Sequence, residues 1–483
     1  MNCNKLVCDV SLSIKEVMAC IDNNAKGIAF ITDEGGRLVG VVTDGDIRRA
    51  LLNGAGLNEK IGLYMNENFI YAFNPVEAED ILRRYEWKYR IIPLVDRDKH
   101  VMDYIENDHV RHIALAQPQL NGNEYNYLMD AFLSTWISSV GKYVTRFEEV
   151  FSRYCGVGYG IATSNGTTAL HLALTALGIG KGDEVIVPDI TFAATINAVI
   201  YTGATPVIVD VEEESWCIDP NEIRKAITAK TRAIIPVHIY GQPCDMGQIC
   251  EIAQEHGIYV VEDCAEAHGA EWCDKKVGSF GVISCFSFFG NKVITTGEGG
   301  MCITNSNELA DKMRLLRDHG MSRERKYYHE AVGYNYRMTN MQAAIGVAQM
   351  ERIDEILEWR HLLEEKYRNI FAGITGLQMQ RNDFKKRKKI AWLVSILVDA
   401  QKRDEIIENL KLNNIDARPF FTPLSEMEIY RKYAGNCMVS KKISKSGLNL
   451  PTTNEIDDEK IGRMVRIICD SLLNEENSHE KCG

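Results

Sequence analysis

"DEVIVPDITFAATINAVIYTGATPVIVDV", residues 183–211, holds two short β-branched runs, Val185–Val187 and Val207–Val209, on either side of a helical pattern. Each run is apolar at consecutive positions instead of alternating, as strands covered on both faces are. The same rhythm extends in both directions. "TTALHLALTALGIG" (167–180) reads as a helix closing on glycines. "DPNEIRKAI" (219–227) opens with Asp219 as N-cap and Pro220 at the first helical position. "TRAIIPVHIYG" (231–241), "IYVVEDCAEAHG" (258–269) and "VISCFSFFG" (282–290) read as further buried strands. The alternation predicts an α/β domain around a mostly parallel, doubly covered sheet. In such sheets the ligand lies beyond the carboxyl ends of the strands, so the residues just after them are the ones to read for chemistry.

Four motifs stand there. In "TSNGTTALHLAL" (163–174), Gly166 and Thr167 fall where a turn enters a helix. Free amides at that point favour a phosphate, although an ordinary helix cap accounts for the same residues. "VVEDCAEAHG" (260–269) delivers Glu262 and Asp263 to a strand end, with Glu266 and His268 just beyond. A carboxylate there can pair with a protonated ring nitrogen, or simply cap a helix or form a salt bridge. In "SFFGNKVITTGEGG" (287–300), Ser287 ends a strand and Lys292 follows a Gly-Asn turn. A lysine in an apolar site loses charge stabilisation, so its amine becomes nucleophilic; taken alone it reads as a surface charge. In "VGYNYRMTNMQAAIG" (332–346), Asn335 and Arg337 precede a segment expected to be an amphipathic helix.

The whole chain has 483 residues, 25% charged and 45% apolar, enough for two or three domains of ordinary globular composition. A net charge of −12 argues against a nucleic-acid partner. The one basic run, Lys385–Lys389, reads as a solvated loop before a strand. No signal peptide, no membrane span and no metal-ligand spacing are read from the sequence. The 14 cysteines are scattered singly and are expected to be reduced, which fits a cytoplasmic location.

Near the start, residues 13–52 and 74–106 resemble each other: a helix, an apolar strand ending in Asp33 or Asp96, a turn and a second strand. The pair resembles a tandem cystathionine β-synthase (CBS) regulatory module. "GVVTDGDIRRAL" (40–51) is close to that family's second strand and following helix. The resemblance implies that Thr43 and Asp46 hold the ribose of an adenine nucleotide. The second repeat has "MDYIENDHV" (102–110) there and lacks the threonine, so a structural or dimerising role stands beside nucleotide binding.

Taken together, the phosphate turn, "TFAAT", "EDCAEAHG", "SFFGNK" and "GYNYRMTNMQAA" resemble the DegT/DnrJ/EryC1/StrS family of pyridoxal-phosphate sugar aminotransferases over roughly residues 120–470. The resemblance implies fold type I: a mostly parallel seven-stranded sheet plus a small C-terminal α/β domain. The expected layout is a regulatory module at 1–114, a linker and first helix at 115–135, a large cofactor-binding domain at 136–355 and a small domain at 356–483. By the same resemblance Lys292 bonds covalently to pyridoxal 5'-phosphate. Asp263 pairs with the ring nitrogen, Gly166, Thr167 and Ser287 bind the phosphate, and Phe192 stacks on the ring. Asn335 and Arg337 reach the neighbouring subunit's site, making a homodimer with shared active sites. Glu266 stands where many members carry Gln or His beside the cofactor's 3-oxygen, and a carboxylate there needs a proton or a partner. The implied partners are L-glutamate as amino donor and a nucleotide-linked 4-keto sugar. The stretches 287–300, 318–340 and 418–431 look most like the branch that aminates GDP-4-keto-6-deoxymannose, with a UDP-linked 4-keto sugar as the alternative. A sugar dehydratase of the same fold carries His in place of Lys292, and a bare nucleotide sensor has no use for the Asp263, Ser287 and Lys292 set.

Overall fold

The computed structural model describes residues 5–24, 26–75, 77–78, 81, 91–106 and 112–473. The chain divides into two compact units, Met1–His112 and Ile113–Gly483. In the first, β1 (Val7–Asp9), β2 (Ile28–Thr32) and β3 (Leu38–Thr43) form one sheet, with α1 (Ile14–Asn24) and α2 (Asp44–Leu52) against it. Ile14, Val17 and Ile21 of α1 and Ile47 of α2 meet Ala29, Ile31 and Val42 of the strands, the helical and strand periods each burying one face. β4 (Ile91–Val95) and β5 (Val101–Glu106) make a second antiparallel hairpin. Both hairpins turn on the expected aspartates: Asp33 Oδ1 accepts the Gly35 N–H and Asp96 Oδ1 accepts the Asp98 N–H, each at 2.9 Å. The helix expected before the second hairpin falls largely at 82–90, and the "NDHV" stretch at 107–110; both lie outside the described residues.

The second unit begins with α3 (Glu124–Leu133) and α4 (Lys142–Tyr154) and then alternates. In chain order come β6 (Tyr159–Thr163), α5 (Gly166–Ala176), β7 (Glu184–Pro188), α6 (Ala194–Tyr201), β8 (Thr205–Val209), α7 (Pro220–Ala226), β9 (Thr231–Ile234), α8 (Met246–His256) and β10 (Tyr259–Asp263). A short hairpin, β11 (Glu271–Trp272) and β12 (Lys275–Lys276), precedes β13 (Ile283–Ser287), β14 (Gly300–Thr304) and α9 (Asn307–Arg317). The seven-stranded sheet has the order β6-β14-β13-β10-β9-β7-β8. It is parallel except at β14, which runs antiparallel to both β13 and β6. Helices cover both faces, and β13 and β14 are buried at every residue, so neither shows the in–out alternation of a half-exposed strand. Asp219 caps α7 by accepting the Asn221 N–H, and Pro220 is its first residue, as expected.

Beyond α10 (Asn340–Met350) and α11 (Ile353–Phe371), the short strands β15 (Gln378–Met379) and β16 (Arg387–Lys388) lead to β17 (Val394–Leu397), α12 (Arg403–Leu412), β18 (Arg418–Pro419), α13 (Met438–Ser446), β19 (Gly447–Leu450) and α14 (Asp458–Leu473). Here β15, β17, β19 and β18 form a smaller antiparallel sheet, its core built from Tyr367, Val394, Ile396, Ile406, Leu448 and Ile461.

Two expectations need correcting. The segment after Arg337 is not an amphipathic helix: α10 buries Ala343, Ala344, Gly346, Val347, Ala348 and Gln349, residues from most of its circumference. The basic run is not simply solvated. Arg387 is buried against Glu212 and Asp245, and Lys389 meets Glu364 at 2.9 Å with its side chain 2% exposed. Charge counting sees five like charges in a row; alternation along an extended segment sends two of them inward to acidic partners. Among the described residues, no helix is long and apolar enough to cross a membrane.

Candidate active site

The strands β6, β10 and β13 end together at one edge of the sheet, and the site grows from those ends. Along β10 the period of two sends Glu262 and Asp263 to opposite faces. Glu262 faces into structure. Its carboxylate accepts the N–H groups of Gly278, Phe280 and Gly281, the Ser284 hydroxyl and His238 Nε2, at 2.7–3.2 Å. Burial pushes its pKa up, but His238 and the amides bring it net below the usual glutamate value. Asp263 takes the other face, where Oδ2 accepts from Thr195 Oγ1 at 2.8 Å and Oδ1 from the Ala265 N–H at 3.1 Å. Burial holds its pKa above the ordinary value against the pull of Thr195, Ala265 and Lys292.

Lys292 follows β13 on a tight turn, its N–H donating to the Phe289 carbonyl at 2.9 Å. The side chain is 12% exposed, with Nζ 3.6 Å from Glu266 Oε1 and 3.7 Å from the centre of the Trp392 ring. Burial lowers the lysine pKa, and the carboxylates of Glu266 and Asp263 oppose that. Glu266 accepts the Tyr240 N–H at 2.8 Å, and burial pushes its carboxyl up to about 7, with Lys292 working the other way. Burial thus pulls the amine down and the carboxyl up, bringing the two neighbouring groups closer in proton affinity. The repulsion that a carboxylate beside a phenolate would create is met here: Glu266 has both a cationic neighbour and a raised affinity for a proton. Tyr240 adopts φ 51° and ψ 26°, the left-handed region, and its N–H is the one that reaches Glu266.

The phosphate turn is built by close approach. Asn165 caps α5 through the Thr168 N–H, and the first-turn amides at Gly166 and Thr167 have no partner within the helix. A Cβ at Gly166 would lie 2.9 Å from Ser287 Cβ, so only glycine lets the helix start against the end of β13. Likewise a Cβ at Gly300 would meet the Asn165 carbonyl oxygen at 2.3 Å, which accounts for the glycine that ends residues 287–300. A helix N-terminus beside Ser287, a buried carboxylate and a buried lysine at neighbouring strand ends are groups of the kind that a phosphate, a protonated ring nitrogen and an aldehyde each require.

The structure therefore brings Gly166, Thr167, Ser287, Asp263, Glu266 and Lys292 to one end of the sheet. Phe192 lies in the turn before α6 but is 61% exposed, its ring 5.9 Å from Phe421. Asn335 and Arg337 sit on the loop before α10, where Arg337 pairs with Asp318 at 3.0 Å and donates to Asn335. His268 is a core residue, packed among Phe151, Phe286 and Phe288, and burial lowers its pKa to about 3. In the N-terminal unit, Thr43 and Asp46 are spent on each other: they form the capping box of α2, and Arg49 holds the Asp46 carboxylate. Three residues of the site escaped the sequence reading. Thr195 stood inside the quoted "TFAAT" and Tyr240 inside "HIYG", but Trp392 lies one hundred positions past Lys292 in a segment with no motif.

This sheet and this set of strand-end groups define a fold-type I, pyridoxal-phosphate-dependent transaminase. The chain belongs to the DegT/DnrJ/EryC1/StrS aminotransferase family, whose profile matches residues 118–469; residues 1–53 match the CBS domain. It is 45% identical to the GDP-perosamine synthase of Caulobacter vibrioides over 75% of this chain and 98% of that one. It is 43% identical to that of Escherichia coli O157:H7, again over 75% and 98%. A structure from Streptococcus pneumoniae in its PLP-form superposes with a TM-score of 0.71 at 26% identity, covering 74% of this chain and 98% of that one.

Proposed function

We propose that the protein transfers the amino group of L-glutamate to C4 of GDP-4-keto-6-deoxymannose, giving GDP-perosamine and 2-oxoglutarate. Bound pyridoxal phosphate supplies a carbonyl carbon that bonds amines and a ring that takes up the electron pair left by a departing proton. Lys292 anchors that group and then, freed as an amine, takes the proton from the carbon bearing the donor nitrogen and returns one to the carbon that receives it. Asp263 holds the ring nitrogen protonated, with Thr195 and the Ala265 N–H fixing its carboxylate. Gly166, Thr167 and Ser287 bind the phosphate. Glu266 would stand beside the 3-oxygen and set the charge next to Lys292. Phe192 would cover the ring face once the cofactor is bound.

The observation that carries the chemistry is Lys292 itself, buried and in contact with a carboxyl raised to about 7. The sugar assignment is supported by the near full-length similarity to two GDP-perosamine synthases. A homodimer with shared sites fits the exposed apolar residues Phe132, Leu133, Trp136, Ile137 and Val140, with Asn335 and Arg337 reaching across. The N-terminal residues 1–114 serve as a separate CBS module in the cytoplasmic enzyme. The capping box favours a structural role for Thr43 and Asp46 over a nucleotide-binding one.

The test is direct. Purified protein is given L-glutamate with GDP-4-keto-6-deoxymannose or with a UDP-linked 4-keto sugar, and products are read by mass spectrometry. A GDP-linked 4-amino sugar is expected. Product from the UDP sugar alone overturns the sugar assignment, and none from either overturns the transamination.

A further inference from the structure

Trp392 is 4% exposed and belongs to the segment leading into the smaller sheet, yet its ring centre is 3.7 Å from Lys292 Nζ. Three contacts hold the indole in that place. Its Nε1–H donates to the carbonyl of Asn291, the residue just before the lysine, at 2.8 Å. Tyr240 stacks on it with ring centres 6.2 Å apart and planes 18° from parallel. The buried guanidinium of Arg360 donates from Nη1 to the carbonyls of Ala391 and Trp392, both at 3.0 Å. Tyr240 also gives its N–H to Glu266, so one residue positions both neighbours of the amine.

An amine that takes a proton becomes a cation in a buried site and must be held until it delivers that proton. A carboxylate alone would grip it through a short ionic hydrogen bond; an aromatic face attracts the charge without a directed bond and lets the amine turn. We propose that Trp392 is a positioning residue for catalysis: its indole face holds the Lys292 ammonium whenever the lysine is not bonded to the cofactor. This rests on the assignment of Lys292 as the cofactor lysine. Glu266 and Asp263 are the acidic groups acting on the same amine, and the fully buried His268 and Arg360 are the basic groups behind it. Nothing in the sequence marks Trp392, since the contact depends on how the smaller sheet seats against the lysine turn.

The test reads the lysine itself. Cofactor-free full-length protein is labelled competitively with acetic anhydride across a pH series, and the extent is measured on the Lys292 peptide by mass spectrometry. In Trp392→Leu the midpoint falls by about one pH unit, a tenfold weaker hold on the proton, while Trp392→Phe keeps most of it. The fold is left untouched by a second measurement, biosynthetic replacement of all tryptophans by fluorinated tryptophan, which weakens the ring face without changing its shape. Fluorination lowers the Lys292 midpoint in the native sequence and leaves Trp392→Phe unchanged. Equal midpoints in native and fluorinated protein, or equal shifts with and without Trp392, overturn the proposal. Borohydride reduction of the holoenzyme tests the underlying assignment separately: failure to fix the cofactor on Lys292 defeats that assignment, whatever the midpoints show.

Discussion

Glu266→Gln isolates the titration of one buried carboxyl. The amide keeps an acceptor for the Tyr240 N–H and nearly the same volume, so what is lost is the ionisable proton. The folded-state pKa of Glu266, about 7, lies above its ordinary value of 4.5, so the folded protein binds the extra proton between those values. Its contribution to stability is therefore full below pH 4.5 and is lost as pH rises through 7. At 1.36 kcal/mol per pH unit, that gap is worth at most about 3 kcal/mol. The unit Ile113–Gly483 has about 370 residues, so its unfolding entropy is roughly 0.8 kcal/mol per kelvin and the term equals about 4 °C in Tm. The assay is calorimetry of the native protein and the variant, both cofactor-free, from pH 5 to pH 8. The variant is expected to gain about 3 °C on the native protein across that range, a little over half of it between pH 6 and 8. Melting curves that stay parallel with pH, or a native protein that gains on the variant, would refute a proton-hungry Glu266.

Gly166→Ala places a methyl 2.9 Å from Ser287 Cβ and should cost about 1–3 kcal/mol, shared between fold stability and pyridoxal-phosphate affinity; a cofactor titration and a thermal melt measure the two parts. Thr43→Ala removes the cap of α2 and should lower the stability of the N-terminal unit by about 1 kcal/mol while kcat is unchanged, as read by urea unfolding and a steady-state assay.

The parts of the site that sequence makes readable are those set by strand ends. Asp263, Ser287 and Lys292 each follow a short apolar run, and a parallel sheet must deliver all such positions to one edge. The Gly166 and Gly300 contacts are legible only as glycines, because what excludes a side chain there is a strand or carbonyl more than one hundred residues away. Trp392 is not legible at all, since its approach to Lys292 depends on tertiary packing that no local pattern records. Lys389 is misread for the opposite reason. It belongs to a strong local pattern, a charge run, and the structure spends it on a nearby ion pair.

The antiparallel strand β14 has a consequence for how the enzyme is made. It lies between β13 and β6, so β6, the first strand of the large sheet in sequence, meets the others only through the last. Tyr159–Thr163 has no neighbouring strand to pair with until Gly300–Thr304 has been synthesised, about 140 residues later. Closing so long a loop is among the slower events of folding, and here it also seats Gly166 against Ser287. Assembly of the phosphate turn is thereby tied to completion of the sheet, and a nascent chain that has reached only β13 still lacks the strand that joins the two halves of the cofactor's cradle.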